Sequence, residues 1–125
     1  MDKLKELKKY LNYEFSTGWT TGEDYKKFEK KYINYLKEIC KTYGWELIKV
    51  NKNHYTFSAF FKDIDNKYIY LSISDVRYFQ NEWYSSILVR RAEDEKDYIG
   101  GQNYYTNLEY LPIKIHYLFK GVYNG

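Results

Sequence analysis

The chain has 125 residues, 44% hydrophobic and 30% charged, with a net charge of +3. That length holds one modest core and leaves no room for a separate substrate domain. The single cysteine, Cys40, excludes a disulfide framework within the chain and a zinc site built on cysteines.

The segments fall into an order of their own. Residues 2–15 read as a helix, because Leu4, Leu7 and Leu11 recur at helical spacing with Phe15 one turn on. The start is charged throughout and lacks the apolar block of a secretory signal, so the chain reads as cytosolic. The loop Ser16–Gly22, with two glycines and three threonines, breaks the helix. A second helix follows. Tyr25, Phe28, Tyr32, Leu36, Ile39 and Tyr43 fall within about a quarter of its circumference. Thr21 and Asp24 form a capping-box-like pair at its start, and Gly44 stops it. Cys40, at the edge of the apolar face, reads as a buried inert thiol.

From Trp45 the period becomes that of a strand. WELIKVN, HYTFSAFFKD, KYIYLSISDV and WYSSILVRR predict four strands, joined by turns at Asn51–Asn53 and Asp63–Asn66 and by the loop Arg77–Glu82. Short connections imply an antiparallel meander. Asp63-Ile64-Asp65-Asn66 resembles the start of a calcium loop but lacks the later glycine and glutamate, so it reads as a turn. An acidic loop, Glu93–Asn103, ends in Gly100 and Gly101. The tail reads as a helix on Leu108, Leu111, Ile115 and Leu118, with Thr106 and Glu109 as a second capping pair and Pro112 early in it; IKIHYLF as a strand is the alternative. The predicted class is α+β in one domain: a helical hairpin over 1–43, an antiparallel sheet over 44–92, then a loop and C-terminal helix over 93–125. Two N-terminal helices pack on a four-stranded meander.

The tyrosine and lysine bias suits AT-rich coding DNA, which lowers the meaning of the tyrosines as a group and raises that of the three arginines, Arg77, Arg90 and Arg91. The lysine excess lies in residues 1–43, with ten lysines against seven acids, which is small for a nucleic-acid surface. His54 and His116 stand far apart with no metal-ligand spacing, and neither a P-loop nor a nucleophile-elbow sequence is present. The most informative stretch is Arg77–Tyr105. An arginine fork suits phosphate. Phe79 and Trp83 offer rings to a base. Gly100 and Gly101 let backbone N–H groups approach a phosphate, and Gln102 and Asn103 supply amides. The competing reading pairs the arginines with Glu93, Asp94, Glu95 and Asp97 and puts the aromatics in the core. Arg77 and the Arg90–Arg91 pair end different strands, and Arg90 and Arg91 point to opposite faces. They converge only if the loop folds back or a second subunit contributes.

At SDVRYF and LVRRAEDEKDYIGGQNYYT the chain resembles the small phage proteins of the first Thoeris anti-defence class, in their clostridial prophage form. The likeness is one of length and overall pattern. It implies a sponge for a cyclic ADP-ribose isomer made by TIR-domain sensors, acting in the cytoplasm of the infected bacterial host. The ligand would be held uncleaved, without enzyme activity, cofactor, metal or membrane. It further implies homo-oligomers with nucleotide pockets at subunit interfaces, some members also holding cyclic oligonucleotides. The ligand-binding set expected from side-chain chemistry, placed within the matching segments, is Arg77, Phe79, Trp83, Arg90, Arg91, Gly100, Gly101 and Asn103. The alternative is a phage inhibitor that blocks a defence protein, such as a CRISPR nuclease, by direct binding.

Overall fold

The computed structural model describes residues 2–121. Met1 and the last four residues of the predicted 93–125 segment lie outside the described residues. The helices are α1 (Asp2–Lys8), α2 (Glu23–Tyr43), α3 (Glu82–Ser85) and α4 (Leu111–Phe119). The strands are β1 (Glu46–Lys52), β2 (Phe57–Lys62), β3 (Tyr68–Ser72), β4 (Ile87–Ala92) and β5 (Tyr104–Thr106). The fold is α+β. All five strands are antiparallel, and their order in the sheet is their order in the chain.

Strand alternation sorts the sheet into two faces. Phe57, Ala59, Phe61, Ile69, Leu71, Ile87 and Val89 form the face that packs on the helices, all of them buried. On α2, Tyr25, Phe28, Tyr32, Leu36 and Ile39 answer them. The Tyr32 ring lies 5.0 Å from Phe57 edge-on, and its hydroxyl donates to the Trp83 carbonyl at 2.9 Å. Burial pushes the Tyr32 hydroxyl well above the ordinary tyrosine range, so it stays a neutral donor. Pro112 sits in the first turn of α4, where its missing N–H costs no helical bond. The opposite sheet face carries Phe60 and Tyr70, 5.1 Å apart, and the Glu93–Asn103 loop folds over it through Tyr98, 5.2 Å from Phe60.

Several boundaries differ from expectation. The first helix ends at Lys8; residues 9–13 continue as tight turns, and Asn12 takes a left-handed conformation at φ 65°. Asn12 N–H donates to Asn81 Oδ1, and Asn81 Nδ2 returns a bond to Asn12 Oδ1, both at 2.9 Å. That exchange turns the chain toward the sheet, and Leu11 and Phe15 still reach the core. The WYSSILVRR segment begins as the single turn α3 and becomes strand only at Ile87. The sheet gains a fifth strand because Tyr104–Thr106 returns along β4. Neither capping pair forms. Gly22 precedes α2, and Thr21 donates instead to the His54 carbonyl. Thr106 lies in β5, and the Asn107 side chain accepts the Tyr110 N–H before α4.

Candidate functional site

The β3–β4 register places Tyr70 opposite Arg90, Ile69 opposite Arg91 and Tyr68 opposite Ala92. At that end of the hairpin the Asp63–Lys67 turn meets the returning 93–103 loop. Between them lies a cleft of about 580 Å³, lined by Asn66, Lys67, Tyr68, Arg91, Ala92, Glu93, Asp97, Gly100, Gly101, Gln102 and Tyr104. This is the size of a small-molecule site.

The loop that walls the cleft is held by two residues. Asp97 accepts the Glu93 N–H at 2.9 Å with one carboxylate oxygen and the Gly100 N–H at 2.8 Å with the other. The bonds from Glu93 and Gly100, in that order, hold its carboxyl below the ordinary aspartate range, and Arg90 adds to them. Arg90 is only 3% exposed. Its guanidinium donates to the Asp97 carbonyl at 2.9 Å and lies 4.5 Å over the Tyr70 ring. Arg90 therefore fastens the loop to the sheet and presents no fork to a ligand, which corrects its expected role. The acidic run supplies its partner, as the competing sequence reading had it.

The glycines also act locally. Gly101 sits at φ +83°, and a Cβ there would stand 2.8 Å from the Arg91 carbonyl oxygen. The Gly100 N–H is committed to Asp97, so it does not point at a phosphate. Both glycines nonetheless line the cleft beside Arg91. Trp83 is 1% exposed and packs 5.0 Å from Phe28, so it is a core ring and cannot stack on a ligand. Phe79 is exposed and does not line this cleft, and Asn103 is exposed just outside the lining.

Arg77 lies beyond the far end of β3. Its Nε and Nη2 donate to the Asp75 carboxylate at 3.0 and 2.7 Å, and its guanidinium lies 4.2 Å over the Tyr55 ring. Burial alone would raise the Asp75 carboxyl, but the Arg77 fork and backbone N–H outweigh it and hold the carboxyl below its ordinary range. Of the expected set, the structure thus gathers Arg91, Gly100 and Gly101, and leaves Arg77, Phe79, Trp83, Arg90 and Asn103 out of the cleft lining.

Lys67, Tyr68 and Tyr104 were missed from sequence. Lys67 donates to the Phe119 carbonyl at 3.3 Å, which fixes its stem beside the cleft. The register could have found Tyr68, since a strand ending at Ala92 must face a strand beginning there. Nothing local marks Tyr104, which needs the unforeseen β5. Among the described residues no group of three or more His, Cys, Asp or Glu side chains is placed to hold a metal, and no helix is long and apolar enough to cross a membrane. No protein-family model, curated protein or solved structure significantly matches the chain.

Proposed function

We propose that the chain captures a phosphate-bearing cyclic nucleotide of the cyclic ADP-ribose type and holds it uncleaved. In the cytoplasm of an infected host it would keep a TIR-domain sensor's signal from its effector. The nucleotide class comes from the family resemblance. The observation that carries the binding itself is the cleft, whose lining combines the cations Arg91 and Lys67 with Tyr68, Tyr104 and the glycine pair. Cationic groups serve a pyrophosphate and flat rings serve a base. Asp97 and Arg90 support the reading because they fix the loop in advance, which lowers the ordering cost of binding. A second copy laid across the open side would complete the enclosure, so a homo-oligomer belongs to the proposal.

Direct blocking of a defence protein is the second reading. One observation favours it: Tyr105, Tyr110 and Ile113 are exposed along one groove between β5 and α4. Exposed aromatic clusters mark interaction surfaces. One experiment separates these readings. The protein is incubated with a cyclic ADP-ribose isomer, the free nucleotide is assayed, and the protein is then heat-denatured. Depletion followed by release of intact nucleotide supports capture. Release of a product identifies an enzyme, and no depletion refutes the nucleotide reading.

A further inference from the structure

The other end of the sheet holds a second cleft that shares no lining residue with the first. It is about 250 Å³ and is walled by Thr17, Gly18, Trp19, His54 and Arg77. Three separate loops build it, and Tyr55 fastens them. The buried Tyr55 hydroxyl accepts the Gly22 N–H at 2.8 Å and lies 3.0 Å from Ser16 Oγ, which ties down the Ser16–Gly22 loop. The face of the same ring carries the Arg77 guanidinium.

Each wall residue is left with something to offer. Asp75 engages Arg77 through Nε and Nη2. A guanidinium has five N–H donors in a fixed fork, so about three remain. The Arg77 side chain is 13% exposed, and it lines the cleft. Thr21 Oγ1 donates to the His54 carbonyl at 2.8 Å and lies 3.1 Å from His54 Nδ1. Its one hydroxyl proton is thereby spent, so Nδ1 donates to Thr21; Nε2 then meets a phosphate as acceptor of its acid proton in the neutral ring, or as an N–H donor in the imidazolium. Trp19 is 100% exposed and lines the cleft beside Arg77. Among the described residues no acidic side chain lines this cleft, and the Asp75 carboxylate reaches it only through Arg77.

We infer that this is a second binding site, for a small phosphomonoester carried on a flat ring. Arg77 and His54 take the phosphate, and Trp19 stacks on the ring. The cleft is smaller than the roughly 300–1,000 Å³ of sites that enclose whole drug-sized ligands. It therefore encloses the charged end alone and leaves the ring outside against the indole. The arginine is held by an ion pair and a ring face before any ligand arrives, which is the preorganisation a weakly enclosed site needs.

The test follows the Trp19 indole N–H resonance of the full chain, assigned by its loss in Trp19→Phe, during titration with adenosine 5′-monophosphate. Adenosine and inorganic phosphate are the two control arms. The expected result is a saturable shift of that resonance, with each control arm about tenfold or more weaker, because each lacks one of the two contacts. Arg77→Gln should weaken the monophosphate about tenfold, with the Trp83 resonance unchanged as proof of folding. His54→Gln, at an exposed position, should weaken it about fivefold and serves if Arg77→Gln fails to fold. A Trp19 resonance unmoved by millimolar monophosphate overturns the inference. So does wild-type affinity in His54→Gln or in folded Arg77→Gln, or equal affinity for inorganic phosphate alone.

Discussion

Two adjacent arginines have opposite employment, and alternation along β4 is the reason. Arg90 points to the outer face, where Tyr70 and the returning loop bury it; Arg91 reaches the cleft. Arg91→Ala should weaken nucleotide capture about tenfold by calorimetry with little change in melting temperature. Arg90→Ala should instead destabilise the fold by about 2–3 kcal/mol in a denaturant melt, since it removes a buried side chain together with its bonds. Asp97 carries a further expectation. Its carboxyl is held below the ordinary value of 3.8 in the folded chain, as is that of Asp75. The folded state therefore binds fewer protons than the unfolded one just below pH 4. Stability from these carboxylates is fully present above that value and falls as pH drops through the folded pKa values. Asp97→Asn should flatten that part of a stability-against-pH curve. An unchanged slope would remove Asp97 from the account.

At the scale of elements, the loop between β4 and β5 is tied down by Arg90 and Asp97. Gly101 in it is left-handed and close against a strand carbonyl. Gly101→Ala should cost about 1–3 kcal/mol, measured by chemical unfolding, from the positive φ and the close contact. The element types were largely legible in the sequence. Five of the six stripe positions on α2 are buried as the period demands; Tyr43 stays partly exposed and stacks on Trp45 at 4.6 Å. The tail resolved as helix because Pro112 suits a first turn and not a strand interior. What was not legible depended on distant partners. Asn81, which only a residue nearly seventy positions away explains, cuts α1 short by turning Asn12. Trp83 looked like the start of a strand because its neighbours alternate, yet α3 rolls it under α2. The three-residue β5 is too short to show any period at all.

At the scale of the whole molecule, one aromatic-rich core joins α2 to the sheet, and it contains Cys40. Burial pushes that thiol up to about 12, so it is not a thiolate near neutral pH. A thiol reagent should label Cys40 only when the core opens, and the labelling rate should follow the denaturant-unfolded fraction; rapid labelling of the native chain would contradict this packing. The candidate site was legible only in part, for a reason that also operates at this scale. The arginines are close in sequence or share a chemistry, but β3 is a strut between them, with Arg91 opposite Ile69 near one end and Arg77 past the other. Composition singled out the arginines; strand direction divided them between two ends.

The meander has a kinetic corollary. Each ladder joins strands that are consecutive along the polypeptide. A ribosome would release them in the order in which they dock, so every hairpin can zip before the following one emerges, and the small loops closed at the first two steps keep the entropic barrier low. The final strip, Tyr104–Thr106, then latches onto a sheet already built, which makes the aromatic edge the last part of the molecule to be set in place.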